Sequence, residues 1–271
     1  MNIVEAYLKY NKQLIVVVSG LSGSNKTSIA KFIERDFKIH MINIEKYIIN
    51  YTKIVKLLNG TKLIDWDSID SFDWNKINDE IGKTKSNGVV ICGPYFPSDK
   101  ITHNINFHIQ IKVAKQILIE KRYEYIKSHP EKFESLEDIN TQLVESIVNQ
   151  VTYPHFLDYT EKSKIDKYVN SKNLTIDQIY DQIADYLFYK IKDYLHNRNK
   201  TKSVFEDKNS NLSNNNLSDD DSSSSNSTIV SDSSSIEMES PVLLRDFNDY
   251  ENYQMEWDYV RTGTKIKDKD F

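Results

Sequence analysis

Gly20-Leu21-Ser22-Gly23-Ser24-Asn25-Lys26-Thr27 follows the apolar run Leu14-Ile15-Val16-Val17-Val18 and precedes a stretch in which Ile29, Phe32 and Ile33 recur at helical spacing. A short β-branched run of this kind forms a strand buried on both faces of a parallel sheet, so the order is strand, glycine-rich loop, helix. The loop follows the pattern G-x-x-x-x-G-K-[ST], in which backbone N–H groups cradle phosphates, the Lys reaches the β- and γ-phosphates and the hydroxyl holds Mg²⁺. Gly20, Lys26 and Thr27 fit, and Asn25 stands at the second Gly position. Asn enters the left-handed backbone region more readily than most residues, so the turn survives, although its side chain adds volume beside a bound nucleotide. Phosphates would sit at the helix N-terminus, where free N–H groups and the macrodipole favour negative charge. The nucleotide-binding residues expected from the loop are Gly20, Ser22, Gly23, Ser24, Asn25, Lys26, Thr27 and Ser28. A plain Gly/Ser turn between strand and helix is the alternative.

The formal net charge of −5 over 271 residues gives no electrostatic basis for nucleic-acid binding, and no nucleic-acid partner is expected. One cysteine, Cys92, excludes an internal disulfide framework and suits a reducing compartment. The apolar run after Lys9 and Lys12 is too short for a signal-peptide core, and no stretch approaches the length of a membrane span. A soluble cytoplasmic protein with no membrane association is expected.

Apolar runs alternate with helical patterns through residue 200, which predicts an α/β fold: three layers of the P-loop NTPase type around a parallel five-stranded sheet. The candidate strands are 14–18, 39–44, 88–92, 107–111 and 167–169, and the candidate helices are 26–35, 45–58, 74–85, 113–127, 135–148, 154–162 and 175–196. Residues 1–200 are read as one domain. Residues 201–240 are rich in Ser and Asn and enclose Asp219-Asp220-Asp221, a composition too poor in apolar residues to order itself, and are read as a disordered low-complexity linker. In residues 241–271, Leu243, Phe247, Tyr250, Tyr253, Trp257 and Val260 share one face of a helix that could recruit a protein partner through 241–260 or dock on the body. Scattered aromatics in a weakly ordered tail are the alternative.

Further segments narrow the reading. Asp65-Trp66-Asp67-Ser68-Ile69-Asp70-Ser71-Phe72-Asp73-Trp74 resembles the N-F-D-H-P-D-A-F-D segment of the uridine kinase and nicotinamide riboside kinase family. Ile42-Asn43-Ile44-Glu45-Lys46-Tyr47 is similar to that family's second strand, ending in an acid and an aromatic, and Gly88 to Phe96 to its third. Thr152-Tyr153-Pro154-His155-Phe156 resembles its V-W-P segment. The resemblance spans residues 14 to 190. It implies transfer of a phosphoryl group from ATP, with Mg²⁺, to a hydroxyl of a small acceptor, a nucleoside or riboside.

On that resemblance Lys26, Glu45 and Arg122 are the catalytic candidates, with Thr27 and Glu45 on the metal. Lys26 would stabilise the phosphates, Glu45 would serve the acceptor hydroxyl or orient metal-bound water, and Arg122 would clamp the transferring phosphate. Lys121, Lys127 and Lys132 are further cations of the lid region. Asp67, Tyr47 and Tyr95 are the substrate-binding candidates, Asp67 toward ribose hydroxyls, and Trp66 and Phe72 could also stack on a base. Plainer roles stay open: a dipole-favoured helix-terminal acid for Glu45, helix caps for Asp70 and Asp73, core packing for the aromatics and a surface position for His155. Asn25, Glu45 in place of Asp, and Cys92 where the family carries Glu depart from the pattern. Two functions therefore stand side by side: a nucleoside or riboside kinase, and a catalytically inactive nucleotide-binding protein whose tail recruits a partner; a small-metabolite kinase outside nucleosides is a third, against which the Asp67 segment weighs.

Overall fold

The computed structural model describes residues 2–49, 53–130 and 139–212, with side chains through residue 198. The chain divides into two compact units, Met1–Tyr194 and Leu195–Phe271. Of the second, only residues 195–212, the end of the final helix, are described. The aromatic segment 241–271 lies outside the described residues.

Seven strands and seven α-helices run in the order α1 (Ile3–Asn11), β1 (Ile15–Ser19), α2 (Lys26–Phe37), β2 (His40–Asn43), β3 (Ile54–Lys56), β4 (Lys62–Ile64), α3 (Trp74–Thr84), β5 (Val89–Gly93), β6 (Phe107–Lys112), α4 (Lys115–Ser128), α5 (Thr141–Ile147), α6 (Tyr153–Glu161), β7 (Lys167–Asn170) and α7 (Ile176–Leu212) among the described residues. The main sheet has the order β2-β5-β1-β6-β7, every neighbouring pair parallel. Its composition follows position. β1 and β5, flanked on both sides, are buried at every residue, whereas the edge strands β2 and β7 each bury one residue fully. Continuous apolar runs are what a central parallel strand covered on both faces requires.

All five strands of this sheet lie where the apolar runs place them. β1 sits between β5 and β6, so the chain passes from one side of β1 to the other, and the crevice at the carboxyl ends beside β1 is where open α/β sheets bind ligands. Near the end of α2, Asp36, 6% exposed, accepts from Arg35 and from the Tyr180 hydroxyl at 2.5 Å, tying α2 to α7.

Three segments differ from the expectation. Helix α1 was not anticipated; its signal is the capping box of Asn2 and Glu5, with Val4 and Tyr7 on the buried face. The helix expected over 45–58 is instead a 3-10 turn, Ile44–Tyr47, followed by the antiparallel hairpin β3–β4. Asn59-Gly60, with Gly60 at φ +90°, is a hairpin turn signal that outweighs the helical spacing of Ile48, Ile49 and Val55. Finally, α7 continues to Leu212, so residues 201–212 of the Ser/Asn-rich linker are helical.

α5 and α6 are joined without a break by a π-helical segment, Val148–Thr152. Pro154 explains it. Lacking an N–H, proline cannot donate to the carbonyl one turn back, and a π-bulge is a common accommodation, often at functional sites. Two apolar clusters border the crevice. One packs the sheet against α3, around Ile42, Ile44, Phe72, Ile77, Tyr95 and Phe96. The other joins Leu21 of the loop after β1 and Leu57 and Leu63 of the hairpin to α4, α5 and the π segment. The crevice lies where these clusters meet.

Candidate functional site

The loop after β1 turns as its residues require. A Cβ at Gly20 would lie 2.7 Å from Ser24 Oγ and 2.8 Å from the Ile111 carbonyl oxygen, so a side chain does not fit. Gly23 takes φ +84°, with Lys121 and Ile117 of α4 pressed against the position a Cβ would occupy. Asn25 adopts φ 60°, ψ 15°, the left-handed conformation for which its side chain is tolerated, and it makes no side-chain cap bond. Ser24 Oγ is buried and has no hydrogen-bond partner. Lys26 and Thr27 then open α2, with Ser28 after them.

Lys26 Nζ lies 3.0 Å from Glu45 Oε1; the lysine side chain is 9% exposed and the glutamate 42%. Glu45 is aimed by the turn that ends β2, where Asn43 Oδ1 accepts from the Glu45 backbone N–H at 3.0 Å. Cys92, near the end of β5, is fully buried. Burial pushes its thiol up to about 11, opposed by the Lys26 charge and by a hydrogen bond with Thr27. The neighbour of the Thr27 hydroxyl is thus a neutral thiol. Beneath the loop, the Ser19 hydroxyl donates to His108 Nε2 at 2.8 Å, and His108 Nδ1 donates to the Lys164 carbonyl oxygen at 3.1 Å. Burial holds this imidazole down to about 4, so it is neutral.

Across the crevice, Asp67 is fixed from three elements. Arg122 Nη2 of α4 donates to Asp67 Oδ2 at 3.0 Å, and Thr152 Oγ1, at the end of the π segment, donates to the same oxygen at 2.8 Å. The Tyr95 hydroxyl, just after β5, donates to the Asp67 backbone carbonyl oxygen. The ion pair is 13% and 16% exposed at its two side chains, a setting in which removing one partner is costly. Backbone bonds from Asp73 N to Tyr47 O and from Ile49 N to Ser71 O hold the Asp67 segment alongside the end of β2.

These groups open on one cavity of about 720 Å³, lined by Ser22, Gly23, Lys26, Glu45, Asp67, Tyr95, Lys121, Arg122 and Thr152, with apolar walls from Leu21, Ile48, Ile49, Trp66, Phe72 and Tyr125. A smaller recess of about 390 Å³ between α1 and the end of α2 lies away from these residues.

The cavity brings together Lys26, Glu45 and Arg122 with Asp67 and Tyr95. Tyr47 is not among its lining residues and packs on the sheet core beside Phe72. Arg122, expected on the transferring phosphate, is paired with Asp67. Asp73 caps α3 by accepting from the Lys76 N–H, while Asp70 sits in a 3-10 turn and caps nothing there. His155 is a correction to the surface position. Its Nε2 donates to both oxygens of Asp65 at 3.1 and 3.2 Å, its ring stacks on Tyr159, and Asp65 is 3% exposed. The hydrogen bond to Asp65 raises the His155 pKa above its ordinary value. Lys127 lies over the Tyr123 ring, and Lys132 falls outside the described residues. Thr152 was missed as a site residue; Pro154 two residues on was the sequence signal for the bulge that aims it.

Mg²⁺ keeps several waters and is held by one or two carboxylates together with substrate phosphates. Glu45 supplies one carboxylate of that kind beside Lys26, and the Thr27 hydroxyl stands in the first turn of α2. Among the described residues no group of three or more His, Cys, Asp or Glu could hold a metal on its own. The donor set suits a cation that arrives with a nucleotide.

The fold is therefore a parallel α/β domain with a P-loop, and its cavity joins that loop to an acid–arginine pair. No family model and no curated protein matches the sequence. Among solved structures, an uncharacterised protein from Eubacterium ventriosum is similar at 15% identity and a TM-score of 0.39, over 64% of this chain and 97% of that one. A shikimate kinase from Bacteroides thetaiotaomicron is similar at 12% identity and a TM-score of 0.40, over 65% of this chain and 98% of that one. No helix among the described residues is long and apolar enough to cross a membrane.

Proposed function

We propose that this chain is a phosphotransferase that moves the γ-phosphoryl group of ATP to a hydroxyl of a nucleoside or riboside. The observation that carries the proposal is the shared cavity, in which the P-loop pair Lys26–Glu45 faces the acceptor-side pair Asp67–Arg122. Phosphoryl transfer asks a protein mainly for positioning and neutralisation of charge, and these residues divide those tasks. The loop backbone and Lys26 would bind the phosphates, and Thr27 and Glu45 would hold a Mg²⁺ ion, which when bound would supply charge neutralisation at the phosphate oxygens. Glu45, partly exposed at the crevice, takes the proton of the attacking hydroxyl or orients water on the cation. Asp67, with Oδ2 engaged by Arg122 and Thr152, presents Oδ1 to an acceptor hydroxyl. Arg122 acts on the acceptor side through Asp67. Trp66, Phe72 and Tyr95 supply apolar walls for a base.

The test is a thermal-shift screen of nucleotides with and without Mg²⁺, followed by phosphorylation assays on a nucleoside and riboside panel. Stabilisation scales with free ligand over Kd, so millimolar nucleotide reveals even a weak site. ATP stabilisation, transfer to a panel member, and loss of both in Lys26→Ala are expected. The second reading, an inactive nucleotide-binding protein, is favoured by the neutral thiol of Cys92 beside Thr27. Nucleotide stabilisation with no transfer to any panel member would select it.

A further inference from the structure

Thr152, His155 and Tyr159 follow one another at spacings of three and four, which puts them on one helical face where the π segment runs into α6. All three are bonded to one short stretch of chain, and to alternate residues of it. Thr152 Oγ1 donates to Asp67 Oδ2 at 2.8 Å, His155 Nε2 donates to the two carboxylate oxygens of Asp65 at 3.1 and 3.2 Å, and the Tyr159 hydroxyl oxygen accepts from the Ile69 backbone N–H at 3.1 Å. His155 and Tyr159 also stack on each other, with ring planes 10° apart. Residues 65–69 lie between β4 and α3, outside the sheet. No strand ladder holds them there, so contacts from neighbouring elements set where Asp67 stands.

We infer that Thr152, His155 and Tyr159 form a clamp through which α6 positions residues 65–69 for the acceptor, with His155 as its titratable member. The inference rests on the acceptor side of the function proposed above. Thr152 lines the cavity, but His155 and Tyr159 do not, so these two are positioning residues that act through Asp65 and Ile69. Asp65 is 3% exposed, and a buried carboxylate that loses its partner is costly. The groups facing His155 are Asp65 and Asp67 of the clamped stretch, Lys53 just before β3, and Tyr159 of its own helix; Asp67 is already paired with Arg122 of α4. The protonated imidazole is therefore the counter-charge of Asp65. That hydrogen bond holds the His155 pKa above its ordinary value of 6.5, against the opposing effect of burial. The charged pair is complete below pH 6.5 and is lost as the pH rises through the folded value. A neutral imidazole leaves the clamp weaker at Asp65, two residues from the carboxylate that meets the acceptor.

The experiment follows amide hydrogen exchange of residues 65–69 in the full chain, as protection factors at about pH 6 and about pH 9, in wild type, His155→Gln and Tyr159→Phe. In wild type, protection of this stretch is expected to fall about tenfold between the two conditions relative to the amides of β1. His155→Gln should show the lower protection at both, and Tyr159→Phe should lose protection at Ile69 at both. On the nucleoside and riboside panel, the acceptor KM of wild type should lie about tenfold below that of His155→Gln at the lower pH and meet it at the higher, with kcat following the same pH course in both. Wild-type protection that is equal in the two conditions overturns the inference and needs no variant to fold; a His155→Gln response that matches wild type also overturns it. Protection that follows pH, in a protein whose acceptor KM does not, overturns the link to the acceptor. Absence of transfer to every panel member overturns the kinase reading, and the exchange result still decides the clamp.

Discussion

Thr152 and Asp67 are joined side chain to side chain, Oγ1 to Oδ2 at 2.8 Å, across a span of 85 residues. The same oxygen accepts from Arg122, and Asp67 lines the cavity. Thr152 can reach because the π segment before Tyr153 rotates it inward, and that segment follows from Pro154. On the proposed function, Thr152 would position Asp67 for the acceptor. Thr152→Val keeps the shape and removes the hydroxyl; the expected result is an acceptor KM raised about tenfold, with kcat and the ATP-induced thermal shift little changed. Thr152→Ser should restore the KM. A parallel loss of nucleotide stabilisation would mark the residue as merely structural.

Asn25 tests how the loop tolerates a side chain. Its φ of 60° suits Asn and Gly and penalises Ala, so Asn25→Ala should cost about 1 kcal/mol in urea unfolding. Asn25→Gly should leave stability nearly unchanged and tighten ATP binding by removing volume beside the phosphates. Weaker ATP binding by the glycine variant would show that the Asn side chain itself contacts the ligand.

His108 couples stability to acid. Its folded pKa, held to about 4, lies below the unfolded value of 6.5, so the unfolded chain takes up a proton first as the pH falls. Stability associated with the neutral imidazole is fully present above pH 6.5 and is lost between 6.5 and about 4, amounting to about 3 kcal/mol. His108→Gln can keep a bond to Ser19 or Lys164 and does not titrate. Its unfolding free energy should fall less steeply over that window, measured by urea titration at several pH values.

His155 has the opposite sign. Its folded pKa is raised, chiefly by the hydrogen bond to Asp65, so its contribution is complete below pH 6.5 and is lost as pH rises through the folded value. His155→Gln should be destabilised most in mildly acidic solution and should converge on wild type at alkaline pH. A difference that stays constant with pH would mean that the protonated His155–Asp65 pair is not what holds α6 to the Asp65 segment.

Gly20→Ala is expected to impair folding, since its Cβ would meet the Ile111 carbonyl oxygen at 2.8 Å and the backbone there cannot move aside. A loss of about 1–3 kcal/mol in thermal or urea unfolding is expected, as for overpacking elsewhere.

The central strands were legible from residues 14–18 and 88–92 because a strand covered on both faces must be apolar throughout, a local constraint, and residues 39–44, 107–111 and 167–169 showed only shorter or interrupted apolar runs. The turn between β1 and α2 was legible for the same kind of reason: Gly20 and Asn25 each answer a requirement of their own backbone. Segment 45–58 misled because short β-branched runs fit a helix or a hairpin, and the turn at Asn59-Gly60 decides between them. What tertiary structure alone decided is the pairing of charges. Glu45 on Lys26, Arg122 and Thr152 on Asp67 and His155 on Asp65 join residues remote in sequence, and nothing in the spacing of either partner announces the other. Burial supplies the reason: once the two apolar clusters close on each other, each charged group left between them must find a counter-charge or a hydrogen bond, and the fold determines which one is within reach.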